Sequence, residues 1–440
     1  MGIANSIFIL LLIGAIALFT KNLRSIIRNI NLGKEIDISD NRKERWKKMF
    51  LIAIGQSKMV KKPLSGALHI IVYVGFIIIN IEVLEILIDG IFNTHRYFSG
   101  LGELYNFLIF SFEWLAFLVL AACVIFFIRR NVLSIRRFGL KEMMGWPKTD
   151  ANIILIVEVL LMGAFLTMNG ADHLLQLQNA DHYTVAGSFP ISSVLVSPLL
   201  EGMSISNLII LERATWWFHI IGIFAFLNYL PYSKHFHILL AFPNVFYSKL
   251  YAKGKFTNME SVKKEVELMF DPEADPYAAP AEPQGEPERF GVKDVTDLSW
   301  KNLMDAYSCT ECGRCSEQCP ANITGKLLSP RKIMMDTRDR LEEVGKNIDV
   351  HGKDYSDGKS LLGDYISEEE LWACTTCNAC VEACPVSIDP LSIIVEMRRS
   401  LIMEDSKAPN EITGMLSNIE NNGAPWQFAT ADRLNWRDEN

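Results

Sequence analysis

The sequence predicts an all-α protein in two parts, a five-helix transmembrane bundle followed by a helical domain organised by cysteines. Three observations predict it: half of the 440 residues are hydrophobic, the long apolar runs all fall before residue 250, and eight of the nine cysteines fall after it in two copies of one spacing. Charge divides at the same place. Residues 1–250 hold 22 Lys and Arg against 16 Asp and Glu, whereas residues 251–440 hold 21 against 35. No basic strip interleaved with aromatics occurs in the acidic half, which argues against a nucleic-acid partner.

Apolar runs long enough to cross a bilayer, or nearly so, occur at Ile3–Thr20, Gly66–Ile88, Phe107–Ile128, Ile153–Met168 and around "WWFHIIGIFAFLNYL", Trp216–Leu230. No basic residue precedes the first run and no small-residue cleavage site follows it, so it reads as an uncleaved anchor. Lys and Arg set the orientation. Twelve lie between Lys21 and Lys62, and Arg129, Arg130, Arg136, Arg137, Lys141 and Lys148 follow the third run. The loop after the second run has only Arg96, and Asn169–Glu212 has none. This predicts a multi-pass protein of the cytoplasmic membrane, with its N-terminus outside and the cysteine half in the cytoplasm. The expected domains are 1–250, transmembrane; 251–291, a linker that includes the Pro-, Ala- and Glu-rich Asp271–Gly291; 292–400, the cysteine domain; and 401–440, a tail. "PRKIMMDTRDRLEEVG" and "LSIIVEMRRSLIMED" give the third of these its helical spacing.

"CTECGRCSEQCP", Cys309–Pro320, and "CTTCNACVEACP", Cys374–Pro385, each read C-x2-C-x2-C-x3-C-P. Three cysteines at this spacing wrap one corner of an iron–sulfur cube, and the fourth, followed by proline, leaves toward a second cube. On that pattern Cys309, Cys312, Cys315 and Cys384 hold one 4Fe-4S cluster, and Cys374, Cys377, Cys380 and Cys319 hold the other. Zinc is the rival metal, but its sites use two separated pairs, and a third cysteine closed by C-P, twice over, speaks against it. Cys123 stands alone in an apolar run as a packed hydrophobe.

Ionisable groups at membrane depth are costly and mark function. His69 opens the second run, His219 lies in the fifth, and His235 and His237 follow in "LPYSKHFHILL". A lone histidine near a helix end often bonds a carbonyl or snorkels. His69 and His237, however, are expected at one depth on different helices, as two axial ligands of one haem b must be, with Ser65, Gly66 and Ala67 leaving room for a flat macrocycle. The 18 residues from His219 to His237 are a whole number of turns, placing both on one face about 27 Å apart. Glu82, Glu85, Glu113 and Glu158 also lie in apolar runs, as proton-uptake groups at a quinone pocket or as packed side chains.

With "LH" opening the second run and "FHIIGIFAFLNYLPYSKHFH" in the fifth, the first half resembles the cytochrome b (gamma) subunit of respiratory nitrate reductase and the membrane subunits of heterodisulfide reductases. The resemblance implies that His69 and His237 hold the haem b nearer the cytoplasm. The family's outer haem takes its partner where this chain has Ile79 and Asn80, and neither can serve. His219 then needs His173, His95 or His182 for a second haem, or instead bonds a buried carboxylate or a quinone. "CGRCSEQCPANITGKLLSPRKIM" resembles the helical two-cluster ferredoxin domain of heterodisulfide reductase C subunits, anaerobic glycerol-3-phosphate dehydrogenase C subunits and succinate dehydrogenase iron–sulfur subunits.

"NIENNGAPWQFATADRLNW", Asn418–Trp436, is similar to the segment that leads into cysteine-rich CCG domains in large membrane-bound heterodisulfide-reductase-like iron–sulfur oxidoreductases. The sequence stops there. The expectation is a separate CCG-domain iron–sulfur subunit docked on Trp426 and Trp436, or a tail folded back over the ferredoxin domain. Together these resemblances imply an electron-transfer subunit between a cytoplasmic redox partner and membrane quinone. Electron-transfer flavoprotein is the favoured soluble partner, heterodisulfide or sulfur-compound reduction is the alternative, and a non-enzymatic redox sensor is the alternative of another class. No nucleophile constellation, Walker loop or dinucleotide fingerprint competes.

Overall fold

The computed structural model describes residues 2–252, 254–273 and 289–438, so most of the Asp271–Gly291 linker lies outside the described residues. Among the described residues five helices are long and apolar enough to cross a membrane: α1 (Ile3–Ile30), α2 (Pro63–Phe92), α3 (Glu103–Asn131), α4 (Trp146–Leu177) and α5 (Ile205–Tyr229). Proline in the first turn of α2 and of α4 costs no hydrogen bond, and the Ser204 hydroxyl accepts from the Asn207 N–H to cap α5. In sequence order α2 packs on α3, α3 on α4 and α4 on α5, while α1 lies against α5 and α2 with most of its apolar face outward.

Every helix runs past its apolar core, because lipid sets the apolar length but not the end of the backbone ladder. Two consequences correct the sequence reading. His173, which lies beyond the apolar run that ends at Met168, falls inside α4, and α5 starts at Ile205, which brings Glu212 into the bundle. A third correction follows from Pro231, which has no N–H to give. The chain leaves α5 through two tight turns, Leu230–Tyr232 and Lys234–Phe236, with Ser233 extended between them at φ −115° and ψ 148°. A new helix, α6 (His237–Phe246), then begins. His219 and His237 therefore do not share one helical face, and the 27 Å reading fails.

The second part is also helical, with α7 (Trp300–Ser308), α8 (Pro330–His351), α9 (Pro390–Met403) and α10 (Asn410–Asn422), and no strand among the described residues. One apolar core crosses from the bundle into it: Ile26 and Ile30 of α1, Leu230 and Phe236 pack with Leu303, Tyr307, Ile333, Leu341, Ile393 and Met397. The close approach needs Gly33, since a Cβ there would sit 2.6 to 2.8 Å from backbone atoms of Trp300, Ser299 and Leu298.

Charge explains the rest of the join. Lys62 and Arg137 pair with Glu317, Arg28 with Asp349, Lys61 with Glu382, and Lys249 with Asp389. The basic loops read from sequence only as topology signals are thus also the seat of the acidic domain. Exposed pairs of this kind hold little energy singly, so they set register more than affinity.

Candidate cysteine and histidine centres

The two cysteine loops fold alike. The second and fourth residues after each leading cysteine take left-handed backbone: Glu311 (φ 52°) and Gly313 (φ 71°), then Thr376 (φ 56°) and Asn378 (φ 61°). A short helix follows each, Arg314–Gln318 and Ala379–Ala383, so the third cysteine sits in a first turn and the fourth ends it. These two helices pack on each other. Backbone N–H groups reach sulfur from Thr376 to Cys374 Sγ at 3.4 Å and from Ile388 to Cys384 Sγ at 3.3 Å.

The thiols act on one another across the motifs. Cys309 and Cys315 feel Cys312 and Cys384, and Cys384 feels Cys312. Cys374 and Cys380 feel Cys319, and Cys374 also feels Cys377; Cys315 is the one that feels across the sets, toward Cys380. Burial pushes the Cys309 thiol up to about 12 and Cys384 up to about 11, so ligation there must displace protons. Two four-thiol sets with N–H groups aimed at sulfur fit two cubes.

Gly313 is needed twice over, for its positive φ and because a Cβ would lie 2.4 Å from the Arg331 guanidinium. Arg331 is fully buried and donates to the Arg137 carbonyl (2.7 Å) and to Glu142 Oε1 (2.8 Å). It fastens the first cysteine loop to the turn after α3. Sequence reasoning missed this role, although Arg331 lies in the "SPRKIM" stretch that carries the ferredoxin resemblance.

Glu311 makes the second fastening. It is buried between Lys234, with which it is in direct contact, and Arg338, at 2.8 Å. Burial alone would raise its carboxyl, but Lys234 and Arg338 hold it below the usual range. Glu311→Leu would leave both cations buried on their weaker partners, Lys234 on Asp150 at 3.7 Å and Arg338 on the exposed Asp339 at 3.1 Å, a loss of up to about 3–5 kcal/mol. Thermal unfolding of the detergent-solubilised protein should show the drop, and adding Lys234→Met should recover part of it.

Lys234 also leads to the histidines. His237 Nδ1 lies 3.0 Å from the Lys234 carbonyl, which fixes the ring and leaves Nε2 for a metal. His235 and His237 stand perpendicular, 5.6 Å between ring centres, and both act electrostatically with His69. Burial pushes His237 down and, with His237 and His69 beside it, takes His235 to about 3, so both imidazoles are neutral. His69 Nδ1 is buried with no hydrogen-bond partner among the described residues. This donor set fits two axial nitrogens. Gly66, however, is not part of a cradle for a macrocycle: a Cβ there would be 2.9 Å from the Met59 carbonyl, so the glycine serves the Met59–Val60 turn.

That turn joins the two centres. Arg314, between Cys312 and Cys315, donates to the Lys58 carbonyl (3.3 Å) and to Met59 Sδ (2.9 Å), and its charge reaches His69. Lys58 in turn donates to the Cys384 carbonyl at 3.0 Å.

His219 is buried with Nδ1 3.0 Å from the Leu161 carbonyl, the same arrangement that His237 has with the Lys234 carbonyl. The three histidines considered for a second haem are engaged elsewhere. His95 accepts from the Thr184 N–H at 3.1 Å and faces Asp172 at 3.3 Å, His173 bonds Ser197 Oγ at 3.3 Å, and His182 packs on His95 and Tyr183.

The membrane carboxylates separate as well. Glu113 accepts from Asn169 and from the N–H groups of Ile191 and Ser192, and Glu85 accepts from the Phe98 N–H and the Tyr105 hydroxyl, so both hold loops in place. Glu158 lies half-buried in α4, near Cys123. Arg96 went unnoticed in the sequence except as a topology marker. It is buried on Asp172 at 2.5 Å, with Asn169 and Tyr105 at 3.0 and 3.1 Å.

Residues 308–388 match the 4Fe-4S dicluster domain family. The chain is 28% identical over 99% of its length to the probable iron–sulfur-binding oxidoreductase FadF of Bacillus subtilis, of which it covers 61%. It is 30% identical over 92% of its length to the EtfAB:quinone oxidoreductase of Syntrophomonas wolfei, of which it covers 55%. Over 24% of the chain it is 32% identical to the C subunit of the ferredoxin/F(420)H(2)-dependent CoB-CoM heterodisulfide reductase of Methanosarcina acetivorans, covering 52% of that protein. No solved structure matches the chain at a significant level. The chain thus carries an iron–sulfur domain behind five membrane-length helices and spans between half and two thirds of the two relatives that it matches along most of its own length.

Proposed function

We propose that this chain carries electrons between a soluble redox partner and membrane quinone, with Cys309, Cys312, Cys315 and Cys384 holding one 4Fe-4S cluster, Cys374, Cys377, Cys380 and Cys319 the other, and His69 and His237 a haem b. The observation that carries the reading is the Lys58–Met59 turn, which touches both the first cysteine loop and the start of the helix bearing His69. The clusters and haem supply one-electron carriers, and the protein holds and tunes them.

The two loops differ in exposure, which supports an order. Thr375 and Cys377 are exposed, whereas Glu311, Gly313 and Arg314 are buried. The soluble partner meets the second motif, and the first faces the histidines. The basic loops at this end favour the cytoplasm for it. Similarity to a protein named for EtfAB and quinone favours electron-transfer flavoprotein as the soluble partner, reached through a CCG-domain module docked on the exposed Trp426 and Trp436. Heterodisulfide reduction is the second reading, favoured by the likeness to a C subunit of a heterodisulfide reductase.

The test is a reduced-minus-oxidised spectrum of the purified protein with iron and haem quantitation. About eight non-haem irons, a haem b band and reduction of that band by quinol are expected. About four irons, no haem band, or no response to quinol would overturn the corresponding part.

A further inference from the structure

At the end of the bundle away from the cysteine domain, α1, α2 and α5 enclose a cavity of about 140 Å³. One side is apolar and aromatic, with Phe8, Met168, Trp216 and Trp217, and the other carries Glu82 and the Arg96–Asp172 pair. Ala4 and Asn93 line it and are exposed, which opens it to the surface.

Among the acids around this cavity Glu82 stands apart. Glu85, Asp89, Asp172 and Glu212 each accept hydrogen bonds from named donors. Glu82 is 3% exposed, its Oε1 is 3.9 Å from Arg96, and its Oε2 has no hydrogen-bond partner among the described residues. A buried acceptor left open loses its hydration without return, so it marks a place where a donor arrives.

The chemistry of that donor follows from the walls. A cavity of about 150 Å³ lined by apolar side chains takes one aromatic ring. Here the ring must also bring a hydroxyl to Oε2. We propose that this cavity seats the ring of a quinol or quinone, with one ring oxygen on Glu82 Oε2 and the face against Trp216 and Trp217. This rests on the reading above that quinone is the membrane substrate. Oxidation of the quinol breaks two O–H bonds and releases two electrons and two protons. The electrons would leave singly, the one-electron chemistry that bound iron carriers would supply, while one proton goes to Glu82 Oε2 and the other to water at the cavity mouth. Reduction is the reverse. Arg96 is committed to Asp172 and Asn169 and serves as a positioning residue.

The test uses the full chain in detergent, with a single-ring benzoquinone carrying a short alkyl tail as the quinol mimic, read by quenching of tryptophan fluorescence on binding. Glu82→Gln keeps the shape but fixes a donor on one side and cannot take up a proton. It should weaken binding at least tenfold while leaving cluster and haem spectra unchanged. Ala4→Trp, which fills the mouth without touching the polar groups, should do the same. Wild-type affinity in both variants would overturn the site. If the unchanged protein binds no mimic and quinol does not reduce its haem, the quinone reading itself falls. If the unchanged protein binds and both variants bind equally well, the quinone site is elsewhere and only this inference fails.

Discussion

Cys319→Ser is expected to remove the cluster of the second motif and spare that of the first, taking non-haem iron from about eight to about four. The residue belongs by sequence to the first motif, where it ends the helix Arg314–Gln318. Its side chain is buried, and the thiols that feel it are Cys374 and Cys380. Cys384 makes the reciprocal crossing, toward Cys309, Cys312 and Cys315. An iron count alone does not say which cluster is lost, so a second substitution is needed. If the crossing holds, adding Cys377→Ser to Cys319→Ser removes no further iron, because both ligate one cube. Adding Cys312→Ser removes the rest. The opposite pattern would assign Cys319 to its own motif. The double variants act as a cycle in which ligands of one cluster fail to add.

What was legible in the sequence follows from how local each signal is. Twenty apolar residues in a row have few alternatives, so α1 to α4 stood out at once. α5 was seen only from Trp216, because Glu212 and Arg213 interrupt its apolar run; what offsets them is Tyr183, far away in sequence. The cysteine spacing was decisive because metal geometry is short-range. The break after Tyr229 had a local signal in Pro231, but counting turns from His219 to His237 ran straight through it. Gly66 was misread because a small residue states that something comes close and not what does, and here it is the Met59–Val60 backbone. The buried Arg96–Asp172 pair and the Lys234–Glu311 contact join residues about 75 positions apart, which no periodicity reports.

His69→Ala and His237→Ala are each expected to abolish haem b, whereas His95→Ala should leave it intact. A haem ligand needs a ring nitrogen that no other group holds. His95 has both ring nitrogens engaged, by Thr184 and Asp172, and has none to give. His237 spends Nδ1 on the Lys234 carbonyl, the usual second interaction of a metal-bound imidazole, and keeps Nε2. His69 is held in the same neighbourhood with Nδ1 unpartnered. His235 is the rival for His237, two residues away and equally neutral. His235→Ala therefore decides between them, and retention of haem in that variant with its loss in His237→Ala is the expected result. Haem is measured as the pyridine adduct after purification, with iron counted alongside to show that the cysteine domain is still folded. Added imidazole should restore the optical band in His69→Ala and in His237→Ala if each has lost only a ligand. Full haem in either variant would sink the pairing, and failure of imidazole with loss of cluster iron would point to collapse of the Lys234–Glu311 join instead.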